Sequence, residues 1–380
     1  MRPLDGIRVI EMAGLAPSPY CGMILADFGA EVLIVDRPMK SVPERPNVMA
    51  RNPFKRGKST VRVDLKTKEG VSILNRMIKT SDVLVEPYRP GVMEALGLGP
   101  KEALEWNSRL IYARLTGWGQ AGPYSKMAGH DIDYIALSGA LSLFRKKGEI
   151  PLPPCNILGD FAGGGLLCAM GILLALIERN SSGKGQVVDC AMLDGAAHLT
   201  TFFHGLLANN LMSLEIGTNM LDGGAPYYQV YETADGKFMA VGAIEAKFYE
   251  QLLKGLELDP SSLPLQNDKE KWPEMKLRFA EIFRTKTRDE WTAIFEGSDA
   301  CVAPVLELNE VSDHPHNRER QVFAGLDGFL QPQPAPRLSR TPGRAGSSGI
   351  SRGPSTTEVL QGLGYSPAEI KALIEKGVVE

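Results

Sequence analysis

The stretch "IRVIEMAGLAPSPYCGMILADFGAEVLIVD", residues 7–36, holds two β-rich runs on either side of a segment with helical spacing. Residues 7–13 and 31–35 are short and rich in Ile and Val, as strands of a packed sheet are. Between them, "SPYCGMILADFGA" repeats its apolar side chains at the period of a helix, and Gly29 stands where a helix end favours a left-handed residue. Strand, helix and strand in this order form the repeating unit of a parallel sheet.

The alternation continues outward. Strand 59–64 leads to helix 67–80, then strand 82–86, short helix 90–97, strand 109–115, helix 162–179 and strand 186–193, the last entered through the turn "SSGKG". The pattern predicts an α/β large domain with a mainly parallel sheet over residues 1–220. From residue 225 the character changes. "YYQVYETADGKFMAVGAI" reads as a hairpin around Ala234-Asp235-Gly236. Two amphipathic helices follow, the second opened by a Thr287/Glu290 capping box, and then strand "CVAPVLEL". This is a smaller α+β domain, residues 225–320. Residues 331–356, rich in Pro, Ser, Gly and Arg, read as a surface linker. The tail reads as a helix pair, stopped at Gly364 and restarted at Ser366-Pro367 with Glu369. Segment 331–380 is therefore expected to return and complete the large domain.

Composition narrows the class of function. The chain has 380 residues, 43% hydrophobic and 23% charged, enough to bury a core. A net charge of −3 gives no global field for nucleic acid. The apolar stretch "FAGGGLLCAMGILLALIERN" is bracketed by Asp160 and Glu178-Arg179 and reads as a core helix, so no membrane insertion is expected. The five cysteines are odd in number and never spaced as C-x-x-C, which argues against a disulfide framework or a zinc site. No secretory signal opens the sequence and "GVVE" matches no retrieval tripeptide. The expectation is a soluble intracellular protein, in cytoplasm, or in mitochondrion or peroxisome if eukaryotic.

Three constellations can carry chemistry. Asp36 ends the second strand where a ribose-binding acid would sit, but the preceding turn "MAGLAPSPY" has prolines where a dinucleotide loop needs glycines. P-loop and G-x-S-x-G motifs are absent. From Arg45 to Lys68 there are eight Lys/Arg residues (Arg45, Arg51, Lys55, Arg56, Lys58, Arg62, Lys66, Lys68) against Asp64 alone. They read either as a solvated face or as a site for a phosphate-bearing ligand, with Arg37 and Arg89 added from loops after strands. Asp160 precedes three glycines, Gly163 to Gly165, and reads either as a plain N-cap or as one side of a ligand site. Glycines in a first helical turn cost about 1 kcal/mol each relative to alanine, which close approach of a ligand to bare N–H groups would offset. The helix terminus would also favour Asp160 as a carboxylate. His130 in "GHDIDY" is either structural or, at a helix start that keeps imidazole neutral, a general base.

Longer stretches are more specific. "GLAPSPYCGMILADFGAEVLIVDRP", "RLIYARLTGWGQAGPYSKMAGHDIDYIALSG", "NILGDFAGGG", "GKGQVVDCAMLDG", "NMLDGGAPYYQVYETADGKFMAVGAIE" and "SDACVAPVL" together resemble the racemases of the family III CoA-transferase superfamily. The resemblance runs in order from about residue 3 to about residue 340, with 38–50 and the last 40 residues matched loosely. It implies epimerisation of a 2-methyl-branched acyl-CoA thioester at Cα, with no metal and no cofactor beyond the CoA moiety of the substrate. It implies His130 and Asp160 as the two bases and Glu245 in "VGAIE" as the acid partnering the histidine. Arg37, Val63, Asp64, Leu65 and Lys66 match the CoA-binding positions, as do Gly129, His130, Asp131, Ile132, Asp133 and Tyr134; Arg89 is carried over with them. The implied architecture is a Rossmann-like large domain plus a small domain in an interlocked homodimer.

The nearest rival is a CoA-transferase of the same superfamily, with Asp160 as a nucleophile forming an acyl–enzyme anhydride. His130, Glu245 and "LDGGAPYY", where transferases carry a glycine-run loop, favour the racemase. A catalytically silent thioester-binding protein would not need the three candidate catalytic residues. His198 and His204 read as packing or interface residues, and Cys301 as a buried thiol in a core strand.

Overall fold

The computed structural model describes residues 1–39, 51–347 and 354–380; Arg45 and part of the expected linker lie outside them. The chain forms two compact units, 1–138 with 154–199 and 316–380, and 139–153 with 200–315.

In the first unit, six parallel strands form one sheet: β1 (Arg8–Met12), β2 (Glu31–Asp36), β3 (Lys58–Arg62), β4 (Val83–Glu86), β5 (Ile111–Thr116) and β6 (Gln186–Ala191). Their order is β3-β2-β1-β4-β5-β6, the arrangement of a doubly wound nucleotide-binding sheet. Central strands β4 and β5 are buried throughout, which is why they read as continuous apolar runs. Alternate side chains feed two cores. Val9, Val32, Val85 and Ala113 pack with helices Pro17–Asp27 and Leu167–Ser182 on one face. Ile10, Met12, Leu84 and Tyr112 pack with helix Lys68–Thr80 on the other. Gly29 has φ +114 just past the first helix, as its place at the helix end requires.

The tail helices Thr356–Gly362 and Pro367–Glu375 each begin with a serine capping box. They bury Leu360, Ile370 and Leu373 in the core beside helix Lys68–Thr80. Val379 bridges Val63, and Val378 O accepts the N–H of Asp64 at 2.8 Å.

The second unit is built on β7 (Tyr228–Glu232), β8 (Phe238–Gly242) and β9 (Val302–Pro304), antiparallel in that order. Three helices, Ala246–Gly255, Trp272–Phe283 and Arg288–Phe295, cover it, one more than expected. Thr287 caps the last of them through its box with Glu290. The core is aromatic: Tyr231 stacks on Phe283 at 5.0 Å, and Phe283 meets Trp291 at 5.1 Å.

The division departs from the expected bounds. Residues 139–153 and 200–220 fall in the second unit, and the return begins at residue 316 rather than 331. The reason for the earlier return is a hairpin, β10 (Phe323–Leu326) and β11 (Phe329–Pro332), turned through Asp327 and Gly328, both at positive φ. Arg56 of the first unit donates to Pro332 O at 2.9 Å and anchors it there.

Candidate active site

The order of the large sheet reverses between β1 and β4, so the loops leaving their carboxyl ends diverge and open a crevice. A cleft of about 440 Å³ lies there, with Gly14, Arg89, Trp118, His130, Tyr134 and Asp160 among its lining. The loop bearing Arg89 is braced from below. Arg114 on β5 donates to Glu86 at 2.8 Å, Glu86 accepts the N–H of Tyr88 at 2.9 Å, and the Tyr88 hydroxyl donates to Ala13 O at 3.2 Å.

His130 is the N-cap of helix Asp131–Leu137 and is exposed to the cleft. Its N–H donates to Asp133 Oδ2 and its carbonyl accepts the N–H of Asp133, both at 2.9 Å. Asp133 thus closes the cap. Tyr134 is buried; its hydroxyl donates to Gly129 O, and its ring meets Trp118 edge-on at 4.7 Å. Burial, with Asp160 and Asp133 nearby, pushes the Tyr134 phenol up to about 12. Gly129 must be glycine, since a Cβ there would lie 2.7 Å from the Tyr134 ring. Ile132 is exposed. The Trp118 indole N–H is buried with no partner among the described residues.

Asp160 lies in the first turn of a π-helical segment, Ile157–Leu166, that runs into the α-helix Leu167–Ser182. It is therefore inside the helix and not its N-cap. Phe161 beside it packs against Tyr20 at 5.1 Å and Phe54 at 5.6 Å. Asn156 Nδ2 donates to Asp160 Oδ2 at 2.9 Å. Half-burial nevertheless raises the proton affinity of Asp160 above the ordinary carboxylate range; the Asn156 amide lowers it, the Asp131 charge raises it and His130 lowers it. The expected helix-terminal preference for the charged form is outweighed by desolvation.

The glycines have a different cause from the one expected. A Cβ at Gly163 would lie 2.8 Å from Ala196 N, at Gly164 2.9 Å from Gly159 O, and at Gly165 2.6 Å from Pro17 O. They admit close packing of helices Pro17–Asp27 and Met192–Leu199. Nor are the first N–H groups free for a ligand: Asp131 Oδ2 accepts those of Gly159 at 2.6 Å and Asp160 at 2.7 Å.

The expected CoA-binding positions share the carboxyl edge of the sheet. Arg37 follows β2 and is exposed. Residues 63–66 follow β3: Val63 is a core side chain, Asp64 accepts the N–H of Lys66 at 3.0 Å, Leu65 packs at the core margin, and Lys66 is exposed. Val63 can meet a ligand only through its backbone. Burial pushes the Tyr88 phenol up to about 12, and Asp36 and Arg37 also act on it, so the β2 and β4 loops are neighbours. Two members of the basic run are no part of a solvated or phosphate-binding face. Arg56 pairs with Asp27 at 2.5 Å and Lys58 with Glu11 at 2.5 Å, all buried.

Glu245 belongs to the second unit, an exposed residue at the N-cap of helix Ala246–Gly255. Cys301 is exposed and at φ 52, not buried in a strand; slight desolvation, then Glu245 and Asp299, raises the thiol. His198 and His204 are exposed on helices Met192–Leu199 and Thr201–Ala208.

A doubly wound sheet with this cleft at its reversal point, and the matching sequence, define the class: the chain belongs to the CoA-transferase family III, matched over residues 4–348. It is 52% identical over 380 residues to the alpha-methylacyl-CoA racemase of Mus musculus, covering 99% of this chain and 97% of the mouse protein. It is 49% identical over 382 residues to the Homo sapiens protein of the same name, covering 99% of this chain and 97% of the human protein. The crystal structure of a CAIB/BAIF family protein from Brucella suis superposes with a TM-score of 0.80 at 23% identity, over 95% of this chain and 99% of that one, a likeness of fold.

Proposed function

We propose that this protein is an isomerase that epimerises 2-methyl-branched acyl-CoA thioesters at Cα. The observation that carries the reading is that His130 and Asp160 line one cleft at the carboxyl edge of the sheet, in a chain half identical to two racemases. The α-proton of a thioester is weakly acidic, and its removal requires a positioned base. Inversion requires a second group that returns a proton to the opposite face. An imidazole and a carboxyl of raised proton affinity form such a pair: one deprotonates one epimer, the other protonates the enolate, and the roles reverse for the other epimer. Glu245 partners the histidine in this reading. Arg37, Arg89, residues 63–66 and 129–134 hold the CoA moiety, the two arginines as phosphate ligands.

The functional form is an interlocked homodimer. Met170, Leu174 and Ile177 are exposed on helix Leu167–Ser182, and an apolar face of that kind supports a partner chain. The CoA-transferase alternative, with Asp160 as a nucleophile, has less support than the racemase reading in a chain half identical to two racemases.

The test is incubation of one epimer of a 2-methylacyl-CoA in deuterated water. Inversion with α-deuterium uptake is expected. Transfer of CoA to an added carboxylic acid, with release of the free 2-methyl acid and no α-exchange, would assign a transferase instead.

A further inference from the structure

We infer that Asp131 is a positioning residue whose buried carboxylate clamps the first turn of the π-helical segment and so fixes Asp160 relative to His130, its own chain neighbour. The inference rests on the two-base reading above. Asp131 is 5% exposed, and a single oxygen, Oδ2, takes both the Gly159 and the Asp160 N–H groups. These are N–H groups a helix start leaves without intrahelical partners. Gly159 permits the approach: a Cβ there would stand 2.7 Å from that oxygen. One side chain thereby links the two segments that carry the candidate bases, whose spacing about one carbon must hold to a fraction of an ångström.

The other oxygen, Oδ1, is buried with no partner among the described residues. An asparagine could turn its carbonyl to the same two N–H groups with its NH2 in the place of Oδ1, so Asp131→Asn keeps an acceptor for the clamp and removes the charge. The charge acts on Asp160: Asp131 raises its proton affinity, against the Asn156 amide and His130. The charges of Asp160, Asp133, Arg89 and Asp131 all act on the Tyr134 phenol.

The experiment reads Asp160 directly, by carbon NMR of protein labelled at aspartate carboxyls, its resonance assigned by its loss in Asp160→Asn. In Asp131→Asn the titration midpoint of Asp160 falls by about half a pH unit or more. In the same variant kcat for epimerisation drops about tenfold with KM within about twofold. Should Asp131→Asn fail to fold, Gly159→Ala displaces the carboxylate and shows the same fall. An unmoved Asp160 midpoint together with wild-type kcat would overturn the inference and leave Asp131 a cap of the fold. A wild-type protein that exchanges no α-proton would sink the racemase reading, while the titration still judges Asp131.

Discussion

Asp160 sits half-buried between a carboxylate and an imidazole, and its raised proton affinity is a statement about stability as well as chemistry. A carboxyl whose folded-state value is raised favours the unfolded chain wherever it is ionised, and this cost disappears once it is protonated. Asp160→Asn is accordingly at least as stable as the wild type in urea at neutral pH, and the gap closes as pH falls through the folded-state value towards the ordinary carboxylate range. A wild type that is clearly the more stable at neutral pH would contradict this. The residues of the cleft were legible because "GHDIDY" and "GDFAGGG" are motifs of residue type. What each side chain meets was not: Asp131 reads as one more acid of a helix start until its Oδ2 is found on Gly159 and Asp160. Arg56 and Lys58 read as surface charge for the same reason, since their partners Asp27 and Glu11 lie 29 and 47 residues away.

At the scale of elements, the π-helical segment is held by backbone contact. A methyl group at Gly165 would meet Pro17 O, which cannot move aside as a flexible side chain would. Gly165→Ala therefore destabilises by about 1–3 kcal/mol. Gly205, inside helix Thr201–Ala208 with nothing within 4 Å of a built Cβ, gives the opposite sign. Gly205→Ala stabilises by about 0.5–1 kcal/mol. Urea midpoints of the two variants check the pair, and equal effects would show that glycine content rather than contact sets the cost. The strands were readable because β1, β2, β4 and β5 are mostly buried and apolar. The π-helix was not, because "ILGDFAGGGL" carries the same apolar pattern whichever hydrogen-bond register it adopts. The hairpin Phe323–Pro332 had its signal in Asp327-Gly328, but strands of four residues gave too little alternation to support it.

For the whole molecule, the tail could be foreseen because serine caps and Gly364 punctuate it. The unit boundaries could not, because helices Met192–Leu199 and Thr201–Ala208 are consecutive apolar segments assigned to different units. The exposed apolar side chains of helix Leu167–Ser182 predict a dimer by sedimentation at micromolar concentration, and Ile177→Glu, at a position 66% exposed in the single chain, weakens it. A wild-type monomer at that concentration would count against the interlocked arrangement. One carbon flanked by two bases has a direct signature in the α-exchange of each epimer, followed separately in deuterated water with His130→Ala and Asp160→Ala. Neither variant inverts its substrate, and each exchanges a different epimer with retention, because a single remaining base reaches a single face. Exchange of the same epimer by both variants, or continued inversion in either, would contradict the account.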